Sequence, residues 1–217
     1  MKTFVVIGLG RFGSAVAEEL TALGHQVLAV DTDPKAVQVM ADKVTQAVTA
    51  DCQDPEVLRA LGVKETHCAV VAFSDDIGTS VLITLNLKEL GIPRIVCKAR
   101  SASHEELLKR IGADQVVFPE RESGRNLAYT LDNKEILNYI PLAKGYSLVK
   151  TPVPWSWRGK TLGELEIPKR WQVHVTAIQR SDGTFLPAPQ PEVTFRPGDV
   201  LFTLGAIEKN ETVIALE

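Results

Sequence analysis

The most informative stretch of this sequence is Thr3-Phe-Val-Val-Ile-Gly8-Leu-Gly10-Arg-Phe-Gly13-Ser14. Its apolar first half predicts a buried parallel strand, and its glycines predict a tight turn that leads directly into a helix. In this pattern Gly8 permits the turn, Gly10 lets a phosphate approach the backbone, and Gly13 lets the helix pack closely on the strand. Because the first N–H groups of such a helix can bind phosphate oxygens, the stretch predicts a nucleotide-binding turn.

An acidic residue follows at the end of the next apolar run. Asp31 comes directly after Val27-Leu-Ala-Val30. A carboxylate in this place accepts hydrogen bonds from the ribose hydroxyls of a nucleotide. ATP, ADP and NAD all carry an adenosine ribose, so Asp31 leaves the choice between them open. It argues against a ribose 2′-phosphate, and therefore against NADP.

The glycine-rich turn also contains a basic residue. Arg11 lies at the first turn of the predicted helix, where a positive side chain opposes the helix dipole. A residue that goes against local preference is a candidate functional residue. We interpret Arg11 as a cation for the distal phosphates of a nucleotide, and the alternative is a solvated surface arginine. Phe12 is taken with the turn as a candidate cofactor-binding residue.

About the first 120 residues alternate apolar strands with helices. Strands are predicted at Thr3–Ile7, Gln26–Val30, Gln46–Thr49, Cys68–Ala72, Arg94–Lys98 and Gln115–Phe118, and helices near Arg11–Leu23, Pro34–Ala41, Pro55–Leu61, Ile77–Leu90 and Ser103–Ile111. The alternation predicts an α/β fold with a Rossmann-like, doubly wound parallel sheet. Ligands of such sheets bind at the carboxyl ends of the strands. Candidate residues there are Ala50-Asp51-Cys52, Phe73-Ser74-Asp75 and Lys98-Ala99-Arg100.

The pattern changes after Pro119. A helix is predicted at Arg125–Leu131, within a crossover region of about 122–138. Short β runs follow, at Tyr146–Lys150, Val173–Ile178, Val200–Leu204 and Val213–Leu216, separated by turn residues. We therefore predict a nucleotide-binding domain over residues 1–140 and a small α+β domain over 141–217. Because so few residues give a small core, dimerisation through the second domain is expected.

Composition excludes several classes of protein. The net charge is −3 and aromatic residues make up 6% of the chain, so neither a basic nucleic-acid surface nor a DNA-recognition helix is predicted. The first predicted strand leaves no room for a signal peptide, and no apolar run approaches the roughly 20 residues that span a bilayer. Cys52, Cys68 and Cys97 show no metal-binding spacing and are expected to be reduced thiols of a cytosolic protein.

An NAD-dependent oxidoreductase is the main enzymatic alternative. It needs a proton-transfer group over the nicotinamide. His25, His67 and His104 are predicted to lie at the surface, and His174 on the exposed side of a strand. Because no Ser/His/Asp or Cys/His set converges on the cleft, we predict that the chain is not an enzyme.

With these residues in view, the chain resembles the cytosolic regulatory subunits of Ktr/Trk-type potassium uptake systems, which are built from RCK domains. The motifs that carry the resemblance are Val5-Val-Ile-Gly-Leu-Gly-Arg-Phe-Gly-Ser14, Ala29-Val-Asp31, Lys88-Glu-Leu-Gly-Ile-Pro93, Ile111-Gly-Ala-Asp-Gln-Val116, Pro119-Glu120, Gly159-Lys-Thr-Leu-Gly-Glu-Leu165 and Arg196-Pro-Gly-Asp-Val-Leu201. They cover nearly the whole chain. One N-terminal and one C-terminal RCK domain is the arrangement of the KtrA-type subunits.

The resemblance implies a ring of eight subunits, a tetramer of dimers, beneath a membrane-embedded potassium-conducting dimer. It implies that ATP and ADP compete for the cleft and hold the ring in different shapes, while NAD and NADH stay open as ligands. Arg11 would meet the terminal phosphate, Asp31 would hold the ribose, and Asp51 and Cys52 would lie near the adenine. Glu120 would lie near the phosphates with a divalent or sodium ion (Mg²⁺, Ca²⁺ or Na⁺).

Some relatives bind a second effector, cyclic di-AMP, in the C-terminal domain. The corresponding region here contains Pro168 and Trp171, which depart from the less bulky family pattern. On this ground we do not expect the cyclic dinucleotide to bind.

Overall fold

The computed structural model describes residues 1–73 and 75–216 and divides the chain into two compact units. We call Met1–Pro119 the N unit and Glu120–Glu217 the C unit. Ser74, which the sequence placed at the cleft, and Glu217 lie outside the described residues.

The N unit is a six-stranded parallel sheet with helices between its strands, which confirms the predicted Rossmann-like α/β fold. The strands are β1 Thr3–Ile7, β2 Gln26–Asp31, β3 Gln46–Thr49, β4 Cys68–Val71, β5 Ile95–Lys98 and β6 Gln115–Val117. The helices are α1 Arg11–Ala22, α2 Pro34–Met40, α3 Pro55–Ala60, α4 Ile77–Glu89 and α5 Ala102–Ile111. The strand order β3-β2-β1-β4-β5-β6 places the glycine-rich turn after the central strand β1.

The central strands are buried on both faces. Alternate residues of β1 belong to two separate apolar clusters, with Val5 and Ile7 in one and Val6 in the other. This two-sided burial explains why the strand is a continuous apolar run without polar alternation.

Asp-Pro pairs begin two of the helices as predicted. The Asp33 side chain accepts from the Lys35 N–H at the start of α2, and the Asp54 side chain accepts from the Glu56 N–H at the start of α3. Pro34 and Pro55 occupy the first helical positions, where no N–H is needed.

The C unit contains one antiparallel sheet in the order β10-β9-β11-β8-β7. Its elements are α6 Pro119–Asp132, β7 Asn138–Ala143, β8 Tyr146–Pro152, α7 Leu162–Leu165, α8 Ile167–Trp171, β9 Val173–Gln179, β10 Phe185–Pro187, β11 Val200–Ala206 and α9 Ile207–Ile214. Buried residues alternate with half-buried ones along β11, and with half-buried or exposed ones along β8. One face of these strands packs on a core that includes Trp157, Phe195 and Leu201.

One predicted strand is wrong. Val213–Leu216 was expected to be extended, but Val213 and Ile214 end the helix α9. In that helix Asn210, Val213 and Ile214 are buried, at the i, i+3 and i+4 spacing of a helical face. A run of four apolar residues is too short to distinguish this period from that of a strand.

The N unit ends at Pro119 in the sequence and the C unit begins at Glu120, before the predicted domain boundary at residue 140. The predicted crossover region of about 122–138 contains most of α6 and the first residue of β7. Because β7 pairs with β8, it belongs to the sheet of the C unit. A functional boundary at residue 140 stays a prediction.

Candidate functional site

The candidate site lies at the carboxyl edge of the N-unit sheet. The Gly8 N–H donates to the Val30 carbonyl at 2.8 Å, and the Ala72 N–H donates to the Ile7 carbonyl at 2.8 Å. The ends of β1, β2 and β4 are therefore joined where the strand order reverses, which is the ligand position of doubly wound sheets.

The three positions of the turn require glycine to different degrees and on different grounds. Gly8 has a φ of +95°, a backbone conformation that side chains disfavour. A Cβ added at Gly13 would lie 1.8 Å from the Gly8 carbonyl oxygen. Gly10 has an ordinary φ of −68° and a Cβ there would meet nothing within 4 Å. The fold therefore requires Gly8 and Gly13, whereas Gly10 keeps the start of α1 open to a ligand.

The Asp31 carboxylate is held by the turn itself. Its Oδ2 accepts from the Leu9 N–H at 2.5 Å, and its Oδ1 accepts from the Asp33 N–H at 2.8 Å. Each oxygen keeps a further lone pair for a ribose hydroxyl. The sequence did not predict that Leu9 orients this carboxylate, because nothing in the spacing of two distant residues shows a contact.

Arg11 is the first residue of α1 and is exposed. Across residues 1–73 and 75–216 its side chain has no hydrogen bond, ion pair or ring partner. The neighbouring Phe12 is half-buried and packs against the apolar cluster beneath α1. The cation is therefore available at the turn, while the aromatic ring helps to seat the helix.

The loop after β3 brings Asp51 and Cys52 to the same edge. Asp51 is exposed and accepts from the Gln53 N–H at 2.9 Å. Burial, and then the carboxylates of Asp51 and Asp31, raise the pKa of the Cys52 thiol to about 12. Cys52 therefore stays protonated at neutral pH, and at 2% exposure it packs in the core beneath the loop.

The opposite end of the cleft is formed by the loops after β4 and β5. Lys98 is the last residue of β5 and pairs with Val117 of β6. The Arg100 guanidinium donates from Nη1 to the Asp75 carbonyl at 3.0 Å, which ties the two loops together. The fold thus brings the predicted residues Lys98, Arg100 and Asp75 to one edge of the sheet.

Glu120 lies in the first turn of α6, in the C unit. Its predicted place beside the phosphates stays a prediction. No group of three His, Cys, Asp or Glu side chains that could hold a metal ion occurs among the described residues.

The prediction that His104 lies at the surface is wrong. The residue is 1% exposed, and its Nε2 lies 2.8 Å from the Ser80 hydroxyl of α4. Burial, and then the Arg100 cation, lower the pKa of His104. The pair lies in the interior between α4 and α5, and the Nδ1 of His104 has no partner among the described atoms. It therefore lacks the third group that orients a catalytic histidine.

The three remaining histidines differ in exposure, and Trp171 of the C unit packs in a core. His67 and His174 are exposed, as predicted, and His25 is half-buried. The Trp171 ring lies 5.1 Å from that of Trp157, and Trp171 packs against the C-unit core. Trp171 therefore has a structural role in the region where some relatives bind cyclic di-AMP.

The described helices include none that combines the length and the apolar character needed to cross a membrane.

Comparison with known proteins finds relatives over almost the whole chain. The TrkA-N domain matches residues 4–119 and the TrkA-C domain matches residues 149–216. The Ktr system potassium uptake protein A of Bacillus subtilis (strain 168) is 37% identical over 204 residues, covering 94% of this chain and 91% of that protein. Protein C of the same system is 35% identical over 206 residues, covering 95% of this chain and 93% of that protein.

A solved structure described as the GsuK channel bound to NAD is similar as well. It is 26% identical, with a TM-score of 0.57 over 98% of this chain. The present chain spans 38% of that chain's length.

Proposed function

This chain belongs to the Ktr potassium-uptake family of TrkA-N and TrkA-C domain proteins, and from this premise we propose that it is a nucleotide-binding regulatory subunit that gates a membrane potassium transporter. It acts at the cytoplasmic face of the membrane, and it is not an enzyme. Its partner is an integral-membrane, K⁺-translocating subunit. The chain forms a homodimer, and the dimers assemble into an octameric ring.

The observation that carries the proposal is the position of Arg11. This exposed cation has no described partner and begins the helix beside Gly10, where the backbone is open. An arginine at this end of a helix is unfavourable for the helix alone. An anion bound at the turn would make the position of Arg11 favourable, because the guanidinium and the helix N–H groups would both bind the anion.

The remaining candidate residues bind different parts of the nucleotide. Gly8, Gly10 and Gly13 shape the phosphate turn, and Asp31 accepts the ribose hydroxyls. Asp51 and Cys52 lie near the adenine. Lys98 adds positive charge at the far end of the cleft, and Phe12 supports the helix that carries Arg11. Glu120 binds a cation (Mg²⁺, Ca²⁺ or Na⁺) at the phosphates.

ATP and ADP differ only in the last phosphate. A ligand shifts a conformational equilibrium only by the difference in its affinity for the two states. The switch must therefore involve groups near the last phosphate, which are Arg11 and a cation at Glu120. Where two phosphate tails meet at a dimer interface, these cations offset the repulsion between them.

Calorimetric titration of the purified chain with ATP, ADP, NAD and NADH, with and without Mg²⁺, tests the proposal. We expect Arg11→Ala to weaken ATP binding by about tenfold or more, the equivalent of one charge-assisted contact, and ADP binding by less. Arg110→Ala is the matched control, because Arg110 is also exposed but pairs with Glu106 on α5. Equal losses for ATP and ADP would contradict the phosphate-sensing mechanism.

A second candidate is an NAD(H)-binding, redox-sensing regulator or a small NAD-dependent oxidoreductase. It is favoured by the likeness to the NAD-bound GsuK channel and by Asp31, which suits any adenosine ribose. The same titration separates the candidates. If NADH binds best and Arg11→Ala has no effect, the redox-sensing function replaces the ATP/ADP switch.

A further inference from the structure

Three polar side chains lie on the buried side of α4, those of Ser80, Thr84 and Asn86. The Ser80 and Thr84 hydroxyls each donate to a carbonyl of the same helix, whereas Asn86 donates to a residue outside it. Asn86 is 7% exposed and lies one turn from Ile83 and next to Leu87, which are both buried. Its Nδ2 donates to the Gln53 carbonyl oxygen at 2.9 Å. A buried amide on an apolar helix is costly unless it is hydrogen-bonded, so this contact accounts for the asparagine.

The acceptor belongs to the loop between β3 and α3, residues 50–54, which we call the base loop. The Gln53 side-chain amide also bonds to the Asp51 carboxylate at 3.2 and 3.3 Å. The Thr79 hydroxyl lies 3.2 Å from the Gln53 Oε1, but it has only one proton and the Asp76 carboxylate is nearer, at 2.8 Å. Asn86 is therefore the main hydrogen-bond link from α4 to the base loop.

The base loop is fixed at three points. The Ala50 N–H donates to the Asp31 carbonyl at 3.0 Å. Cys52 belongs to the same core cluster as Ile83 and Leu87 of α4. Asn86 holds the Gln53 carbonyl. These contacts leave the Asp51 side chain exposed at the carboxyl edge of the sheet.

We propose that Asn86 is a positioning residue that holds the base loop in the shape that selects adenine. The inference rests on the proposed nucleotide-binding function. An ionised carboxylate can only accept hydrogen bonds, so Asp51 favours the adenine N6 amino group and disfavours the guanine O6 oxygen. Such selection depends on a fixed loop, because a mobile one would adapt to either base.

Because Asn86 lies on α4, its hydrogen bond to the base loop couples nucleotide binding to the position of that helix. A nucleotide that requires the held form of the base loop stabilises the Asn86–Gln53 contact. By reciprocity, a change in the position of α4 alters the preference for adenine.

The test is calorimetric titration of the full chain with ATP and GTP. We compare the wild type with Asn86→Leu, which keeps the size of the side chain without the donor, and with Asn86→Ala, which serves if Asn86→Leu does not fold. The matched control is Thr84→Val. Thr84 is a buried residue of the same helix, and its hydroxyl bonds to the Ser80 carbonyl within that helix.

We expect the wild type to prefer ATP over GTP by about tenfold or more, and the Asn86 variants to lose most of that preference through weaker ATP binding. Thr84→Val should keep it. A wild type without preference, or Asn86 variants that keep the wild-type ratio, would overturn the inference while ATP binding upheld the proposed function. A wild type that binds no nucleotide would overturn both.

Discussion

The two units use their polar groups in opposite ways. In the N unit the Asp31 carboxylate keeps spare lone pairs and the Arg11 cation has no described partner. In the C unit the Arg180 guanidinium binds the 1% exposed carboxylate of Asp199. The Arg196 N–H also donates to Asp199, at 2.7 Å.

This difference separates binding from stability. Charges that are neutralised inside the fold hold the C unit together and offer little to a ligand. In the N-unit cleft the Arg11 cation has no described partner and contributes little to the fold. The Asp31 carboxylate bonds to the backbone of the turn and still keeps lone pairs for a ligand. Variants of the two kinds of residue should therefore affect stability and nucleotide binding independently, and the following experiments test that separation.

The largest effect is expected at the glycine turn. Gly13→Ala places a Cβ 1.8 Å from the Gly8 carbonyl oxygen, and the backbone cannot move away without disrupting β1. We expect a loss of more than about 3 kcal/mol of stability, with loss of nucleotide binding, by thermal unfolding and calorimetry. Gly10→Ala is the matched control and should cost less than about 1 kcal/mol. Equal destabilisation by the two substitutions would contradict the different roles of these glycines.

The next largest effect is expected in the C unit. Asp199→Ala leaves the nearly buried Arg180 cation without its counter-ion, which typically costs about 3–5 kcal/mol. Nucleotide affinity should stay near that of the wild type, because the cleft residues of the N unit are unchanged. Asp182→Ala, at an exposed turn carboxylate, should destabilise the chain far less than Asp199→Ala. A parallel loss of nucleotide binding in Asp199→Ala would show that the units are not separable.

A smaller effect is expected from His104. Burial holds its pKa below the value in the unfolded chain, so the unfolded chain takes up a proton first as the pH falls. This contribution to stability is present above the unfolded pKa of about 6.5 and is lost progressively below it. Urea unfolding at pH 7.5 and 5.5 should show a larger loss for the wild type than for His104→Gln. His174→Gln is the matched control, because this histidine is exposed on β9, and it should behave like the wild type.

The smallest effect concerns the thiols. Burial raises the pKa of Cys52 to about 12 and that of Cys97 to about 11, and also raises that of Cys68. The folded N unit should therefore react very slowly with a thiol reagent at pH 8, and all three cysteines should react in urea. In Asp199→Ala the cysteines should stay protected under native conditions. Rapid labelling of that variant would show that the N unit opens with the C unit.

The sequence was sufficient for most of the N unit because its signals are local. Continuous apolar runs, glycine ends and Asp-Pro caps each identify an element without knowledge of its neighbours. His104 was misplaced because its burial depends on α5 packing against α4 at Ser80. The Asn86–Gln53 contact joins residues 33 positions apart, and only the packing of α4 against the base loop reveals it.

The edges of the C-unit sheet have a consequence for aggregation. Its outer strands are β7 and β10, and each contains a proline, Pro141 and Pro187. A proline has no N–H to donate, so neither edge offers an uninterrupted row of donors to a strand from another molecule. Ile140 and Leu142 can therefore remain exposed on β7 without making it a template for fibrils. Growth into open-ended β-sheet polymers is disfavoured at each end of this sheet.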